Sequence, residues 1–274
     1  MKLGIINGWT QQDFAYVQSK GLGMVEFCVN HDCDSKEFLD SAPQIKGYSE
    51  TYGVQVGSIG RWGMERIDEN GEVIPGAFQH DKNLIDAASL LGCPVYNCGC
   101  NYTNGKSAEE NIAIAIAYFK SLLDYAEGKN VKIAVYNCDW ANFVITPKQW
   151  RRVLGELPDL GIKYDVSHCV SREGAYLEEL REWGSRVYHF HLKGSMYIDE
   201  EHYDDPPAGL DQTDWPSVMS VLYTQGYDGM VSIEPHSGRW QGARGQWGID
   251  FTIRYITPYI MPEDYGEGSD PYMP

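Results

Sequence analysis

Eight short apolar runs punctuate the chain, near Leu3 to Asn7, Met24 to Val29, Val54 to Ile59, Pro94 to Cys98, Lys132 to Asn137, Gly161 to Asp165, Arg186 to Leu192 and Met230 to Glu234. Stretches of helical periodicity lie between them, which is the pattern of successive β-α units. In "SAEENIAIAIAYFKSLLDYAEGKN", Ser107 is placed to cap a helix, Glu110 follows three residues later and Gly128 lies near the end. "TPKQWRRVLGEL" repeats the theme, with Thr146 as cap and Pro147 at the first helical position. Eight strands, intervening helices and no Gly/Ser-rich linker predict an α/β fold, a closed (β/α)8 TIM barrel forming one domain over residues 1–260. The alternative, a doubly wound open sheet binding a dinucleotide, lacks its GxGxxG after the first strand, where "GIINGWTQQD" stands instead.

The charge balance narrows the partners. A formal net charge of -17 and no basic stripe argue against nucleic acid and anionic membrane surfaces. No apolar run approaches the roughly 18 residues of a membrane-spanning helix, and "MKLGIINGW" lacks the apolar core of a signal peptide. The expectation is a soluble, cytoplasmic protein acting on a small molecule. Seven cysteines cannot all pair, and "CGC" and "CVNHDC" lack the spacing of a zinc ribbon, so reduced, partly buried thiols are expected. The proline-, tyrosine- and acid-rich tail over 261–274 is expected on the surface or across a partner subunit, in keeping with a homo-oligomer.

In a barrel of this type chemistry sits at the carboxyl ends of the strands. The sixth run ends in "YDVSH", giving Asp165 and His168. The seventh, "VYHFHLKGS", gives His189, His191 and Lys193 at a spacing of two, which puts all three on one strand face. The eighth ends in "SIEPH", giving Glu234 and His236. Carboxylate oxygens and imidazole nitrogens converging on one mouth suit Mn²⁺, Mg²⁺, Co²⁺ or Zn²⁺. Each residue also has an ordinary explanation: Asp165 as a turn cap, His189 as a satisfied core histidine, Lys193 as a solvated charge. Their alignment at three successive strand ends favours a site.

"YDVSH", "HFHLKG", "PAGLDQTDW" and "GYDGMVSIE", in this order and at these separations, resemble the xylose-isomerase-like barrels grouped as sugar phosphate isomerases/epimerases. The likeness is strong over about residues 129 to 250 and architectural before that. It implies one divalent ion held by a Glu, an Asp, a His and a Glu ending strands five to eight. The last three fall on Asp165, His191 and Glu234, and the family's substrate-contacting histidine falls on His168. Glu26 matches an acidic residue often found on strand two. The first ligand is replaced: "AVYNCDW" puts Tyr136 where the glutamate stands and Cys138 where a histidine stands. Epimerisation by two glutamates on opposite faces of an enediolate is thereby placed in doubt, and Tyr136 becomes a candidate acid–base group with an unperturbed pKa near 10. The three-zinc AP endonucleases of the same superfamily are excluded, because "SIGRWG" and "YNCGCNY" supply none of their extra histidines and the acidity opposes DNA.

The resulting expectation is a metal-dependent sugar isomerase or epimerase working through an enediolate, with Glu234 as ligand and base and with Tyr136, His168 and Lys193 handling protons and oxygens. The alternatives are a metal-dependent carbohydrate lyase or glycoside-cleaving enzyme, and a catalytically inactive barrel that binds sugar or a partner. Trp9, Trp62, Trp140 and Trp240 are candidate stacking faces for a sugar ring. Arg239 and Arg244, among glycines after the eighth strand, are candidates for phosphate. The long acidic segment "GSMYIDEEHYDDPPAGLDQTDW" is expected as a loop over the site.

Overall fold

The computed structural model describes residues 1–262, so of the expected tail only Met261 and Pro262 are described. The first half alternates β1 (Lys2–Ile6), α1 (Gln11–Ser19), β2 (Met24–Cys28), α2 (Ser35–Tyr52), β3 (Gln55–Arg61), α3 (Pro75–Leu91), β4 (Val95–Cys98) and α4 (Ala108–Ala126). The second continues with β5 (Lys132–Tyr136), α5 (Pro147–Glu156), β6 (Gly161–Asp165), α6 (Val166–Ser171), α7 (Tyr176–Trp183) and β7 (Val187–Leu192). A hairpin, β8 (Met196–Ile198) and β9 (Glu201–Asp204), precedes α8 (Trp215–Thr224), β10 (Met230–Ile233) and α9 (Gly242–Ile256). Eight of these strands close a parallel barrel in the order β1-β10-β7-β6-β5-β4-β3-β2. The fold is therefore the (β/α)8 TIM barrel. Each barrel strand lies within two residues of its apolar run in the sequence.

Local chemistry sets the element ends. At α4, the Ser107 hydroxyl accepts from the Glu110 amide at 3.3 Å while the Glu110 carboxylate accepts from the Ser107 amide at 2.8 Å, a complete capping box. At α5 the N-cap is Thr146, as expected, but its hydroxyl bonds the Gln149 side chain instead of a backbone amide, leaving Pro147 to start the helix. The segment after β7 is not a bare loop: Asp199 and Glu200, with φ of 52° and 67°, make the turn of an antiparallel hairpin. Asp-Glu is a poor signature for a turn needing two left-handed residues, which is why the sequence hides it.

Period two sends alternate side chains inward, and the interior row is polar. Glu26, Ser58, Asn97, Lys163, Asp165, His189, His191 and Ser232 are all buried. The register sets neighbours side by side: Tyr136 beside Lys163, Lys163 beside His189, Asp165 beside His191, and His191 beside Ser232. Outward-facing Ile133, Val135, Ile162, Phe190 and Val231 pack under the helices as the apolar core. A buried ion pair, Arg66 Nε to Asp81 Oδ2 at 3.1 Å, with Tyr96 and Tyr118 donating to the same carboxylate, ties α3 and α4 to the wall. All seven cysteines are free, and among the described residues no helix is long and apolar enough to cross a membrane.

Candidate metal centre

β6, β7 and β10 deliver Asp165, His191 and Glu234 to the same end of the barrel, as strand ends in a parallel barrel must. One ligand atom from each lies within 4.8 Å of the other two. The His191 Nδ1 is 2.6 Å from Glu234 Oε2 and 3.9 Å from Asp165 Oδ2. Asp165 Oδ1 accepts from the Ser167 amide at 2.8 Å and its hydroxyl at 2.7 Å, whereas Oδ2 is buried with no hydrogen-bond partner among the described residues. An orphaned carboxylate oxygen facing an imidazole and a second carboxylate is a donor set that fits a divalent cation.

The other nitrogen of His191 is held from behind. Nε2 lies 3.0 and 2.9 Å from the two oxygens of Glu26, and Glu26 Oε2 is also 2.8 Å from His189 Nε2. A carboxylate on Nε2 orients the ring and leaves Nδ1 facing the cluster, where Glu234 is its neighbour. Burial alone would raise the Glu26 carboxyl, but the two imidazoles outweigh it and hold its pKa well below the ordinary carboxylate range. His189 is driven down by burial despite Glu26, so it is the neutral partner that donates through Nε2. His191 goes the other way: burial opposes its charge, yet Glu26 and Glu234 raise its pKa above the usual imidazole value. Glu26, His189 and His191 form a second three-residue cluster below the first, entirely buried.

Around the mouth, His168 Nε2 is 3.5 Å from Asp165 Oδ2, and burial pushes its pKa down to about 4, so it is neutral near pH 7. Burial opposes the charge on Asp165, but His168, Lys163 and Lys193 outweigh it and keep it ionised. Glu234 is kept ionised in the same way, against burial, by His191 and the two lysines. Lys193, which burial would discharge, is held protonated by Asp165, Glu234 and Asp205. Asp205 itself accepts from His202 and His236 at 2.9 Å each and stands 4.0 Å from Lys193, fastening the hairpin segment to the loop after β10.

Tyr136 ends β5, the strand end at which the resemblance sets a glutamate. Its ring stacks on Trp62 with centroids 5.5 Å apart, and its hydroxyl donates to the Trp140 carbonyl at 2.9 Å. Burial pushes its pKa far above the ordinary phenol value, which opposes use as a base. Glycines make room for this pair: a Cβ at Gly60 would collide with the Trp62 ring, and one at Gly99 with the Tyr136 hydroxyl. Of the four candidate stacking tryptophans, Trp62 reaches the cluster, 6.3 Å from His191 between centroids. Trp9 packs on Phe27 and Phe38, Trp140 is half exposed beside His31, and Trp240 stacks on Trp247. The Arg239 guanidinium lies over the Tyr203 ring of the hairpin at 4.3 Å, and Arg244 donates to the Arg239 carbonyl. The sequence reading passed over Lys163 and Asp205. Lys163 was findable, because it lies two residues before Asp165 on one strand and so shares its face. Asp205 sits in a turn-rich acidic segment with no such signal.

A profile described as "xylose isomerase-like TIM barrel" matches residues 14–255. Among curated proteins, the uncharacterized protein YfiH of Bacillus subtilis is 28% identical over 143 residues, 44% of this chain and 45% of that protein. The chain thus aligns with less than half the length of that relative. Among solved structures, the 3-keto-D-glucoside 4-epimerase YcjR of E. coli, in its apo form, superposes with a TM-score of 0.74 at 16% identity, covering 94% of this chain and 99% of that one. The IOLI protein with a bound zinc atom gives 0.73 at 18% identity, covering 96% and 100%. At these identities the superpositions establish the shared barrel.

Proposed function

Because the chain belongs to the xylose isomerase-like TIM barrel family, we propose that it is a divalent-metal-dependent enzyme that isomerises or epimerises a sugar or sugar derivative through an enediolate. The observation that carries this reading is the convergence of Asp165, His191 and Glu234, with the buried Oδ2 of Asp165 left without a hydrogen bond among the described residues. The solved relatives lend it a direction, one being named as a sugar epimerase and another holding zinc. When bound, the ion supplies a Lewis acid that polarises a carbonyl and acidifies the neighbouring C–H.

The chain's own residues do the rest. Glu234, ionised and at the rim, takes the proton from carbon. Neutral His168 exchanges a proton with a substrate hydroxyl, and the Lys193 ammonium donates to an oxygen. Trp62, with Tyr136 stacked behind it, forms an apolar wall for a sugar face. Tyr136 is read here as part of that wall, since its hydroxyl is already committed to a backbone carbonyl. The substrate is a small carbohydrate, with neither nucleic acid nor membrane as partner, and the work is done in the cytoplasm.

A carbohydrate lyase is the second reading, favoured by the absence of a carboxylate at Tyr136: a lyase needs one strong base where a two-glutamate epimerase needs two. The test loads metal-depleted protein with Mn²⁺, Co²⁺ or Zn²⁺ and incubates it in D2O with ketoses, keto-sugars, aldoses and glycosides. Deuterium entering the substrate next to its carbonyl, together with an isomer or epimer, supports the first reading. An unsaturated product selects the lyase. Metal uptake without exchange or turnover on any of them would leave a binding barrel.

A further inference from the structure

Lys163 enters the barrel from β6 one layer below Asp165, and it is 1% exposed. Among the described residues no acceptor lies within hydrogen-bond distance of its ammonium. The nearest carboxylate oxygen is Asp165 Oδ2 at 3.8 Å, and the other neighbour is the face of Trp62, whose centroid lies 5.6 Å from Nζ. Burying a cation is costly, and leaving its N–H donors without acceptors adds to the cost. The ion pair with Asp165 and the Trp62 face offset part of that cost, but among the described residues no hydrogen bond from the ammonium joins two elements. Lys193 differs in having Asp205 beside it at the rim. Were Asp165 to hold a metal ion, the remaining neighbours of Lys163 would be the Trp62 ring and whatever occupied the mouth.

Its location is specific. Tyr136 and Lys163 are register neighbours, and Lys163 lies over the ring on which Tyr136 stacks. On the side of the mouth contributed by β5, a carboxylate is therefore replaced by an aromatic pair with a cation set against it. We propose that Lys163 is a catalytic residue of the deprotonation proposed above: its ammonium donates hydrogen bonds to the substrate oxygen that gains negative charge. Glu234 takes the proton from carbon, the C–H electron pair becomes the new C=C bond, and the carbonyl π pair moves onto oxygen. Lys163 keeps its protons throughout and stabilises that oxygen. Return of the proton reverses the same shifts. A lysine on β6 below the cluster acts on the oxyanion from a direction that neither Lys193 nor His168 covers, since Lys193 directly follows β7 and His168 lies on α6 beyond Asp165.

Oxalate, a planar dianion with vicinal oxygens, is the probe. Lys163→Met keeps length and removes charge. Zinc binding by the metal-depleted variant should tighten by about tenfold or more, because a neighbouring positive charge is gone. Oxalate binding by the zinc-loaded variant should weaken about 10²-fold, with turnover falling about 10²- to 10³-fold, and the melting temperature should not fall. Lys163→Arg, which keeps the charge, should hold oxalate affinity within about tenfold of the parent and serves if the Met variant does not fold. Equal oxalate affinity in the parent and the Met variant overturns the proposal, as does a lower melting temperature with unchanged zinc and oxalate binding. If the parent takes up no zinc, the metal reading falls, whereas oxalate binding that still depends on Lys163 upholds this one.

Discussion

Glu26 lies behind the cluster, and replacing it with Gln tests whether the polar interior is built to aim His191. Its carboxylate accepts from His189 at 2.8 Å and from His191 at 2.9 and 3.0 Å, with no exposed surface. A glutamine has one acceptor oxygen, so its NH2 must face one of two imidazole N–H groups. Hydrogen bonds to charged groups contribute roughly 1.5–3 kcal/mol each, and removing one partner of a buried charged pair costs about 3–5 kcal/mol. Glu26 also carries a desolvation penalty that the variant escapes, so we expect a net loss of about 2–4 kcal/mol. For a chain of this size that lowers the melting temperature by roughly 3–7 °C. Metal affinity should fall about 10- to 100-fold as the imidazole loses its orienting carboxylate. The carboxyl of Glu26 is held below its unfolded pKa, so its contribution is complete above the unfolded value near 4.5 and disappears as pH falls through the lower folded value. The parent and Glu26→Gln should therefore converge in stability toward the acid limit. Melting followed by circular dichroism on metal-depleted protein across pH, with zinc titration calorimetry, makes the measurement. Equal melting temperatures at pH 7 together with equal zinc affinity would refute the aiming argument.

Asp165→Ala, His191→Ala and Glu234→Ala should each lose the approximately one divalent ion per chain expected of the parent, and undiminished metal in all three by elemental analysis would remove the centre. The raised pKa of His191 means that protons compete with metal from above pH 6.5 downward, so affinity should decline as pH falls through that raised value, and a flat profile from pH 8 to 5 would exclude His191. In metal-free protein the same shift stabilises the fold fully below the unfolded imidazole pKa and is lost as pH rises through the folded one, so adding chelator should destabilise alkaline samples more than acidic ones. Tyr136→Phe should cost about 1 kcal/mol for the lost bond to Trp140 and leave kcat within a few-fold. A fall of about 10² would reinstate the phenol as an acid–base group. Tyr136→Glu should tighten metal binding without raising kcat, and a more active variant would return the protein to a two-glutamate mechanism.

The barrel was legible because its signals are local and repeated. Val135 and Ile162 point out to the helices while Tyr136, Lys163 and Asp165 point in, and each strand carries that alternation in the sequence itself. Asp165, His191 and Glu234 were legible for a related reason, since strand ends in a parallel barrel must meet at one mouth. The hairpin of β8 and β9 was not, because its turn rests on left-handed Asp199 and Glu200, a conformation that composition does not announce. Nor was the direction of the Tyr136 hydroxyl, which depends on the Trp140 carbonyl and on the space left at Gly60 and Gly99.

The residues hardest to assign from sequence share one property: each acts through a partner from a distant strand. Glu26 and His189 are 163 positions apart yet hold a hydrogen bond at 2.8 Å, so neither has a meaning that its own neighbours reveal. Lys163 shares a strand face with Asp165 in the sequence, but its enclosure by Trp62 appears only once the barrel closes. Parallel register also explains why the interior tolerates so much polarity. His191 is bracketed by Glu26 and Glu234, and Glu26 by both histidines, so the buried charges largely satisfy one another. The polar atoms left over are the informative ones. Asp165 Oδ2 is buried with no hydrogen-bond partner among the described residues, and the Lys163 ammonium two strand positions away stands 3.8 Å from it, beyond ordinary hydrogen-bond distance, so neither satisfies the other.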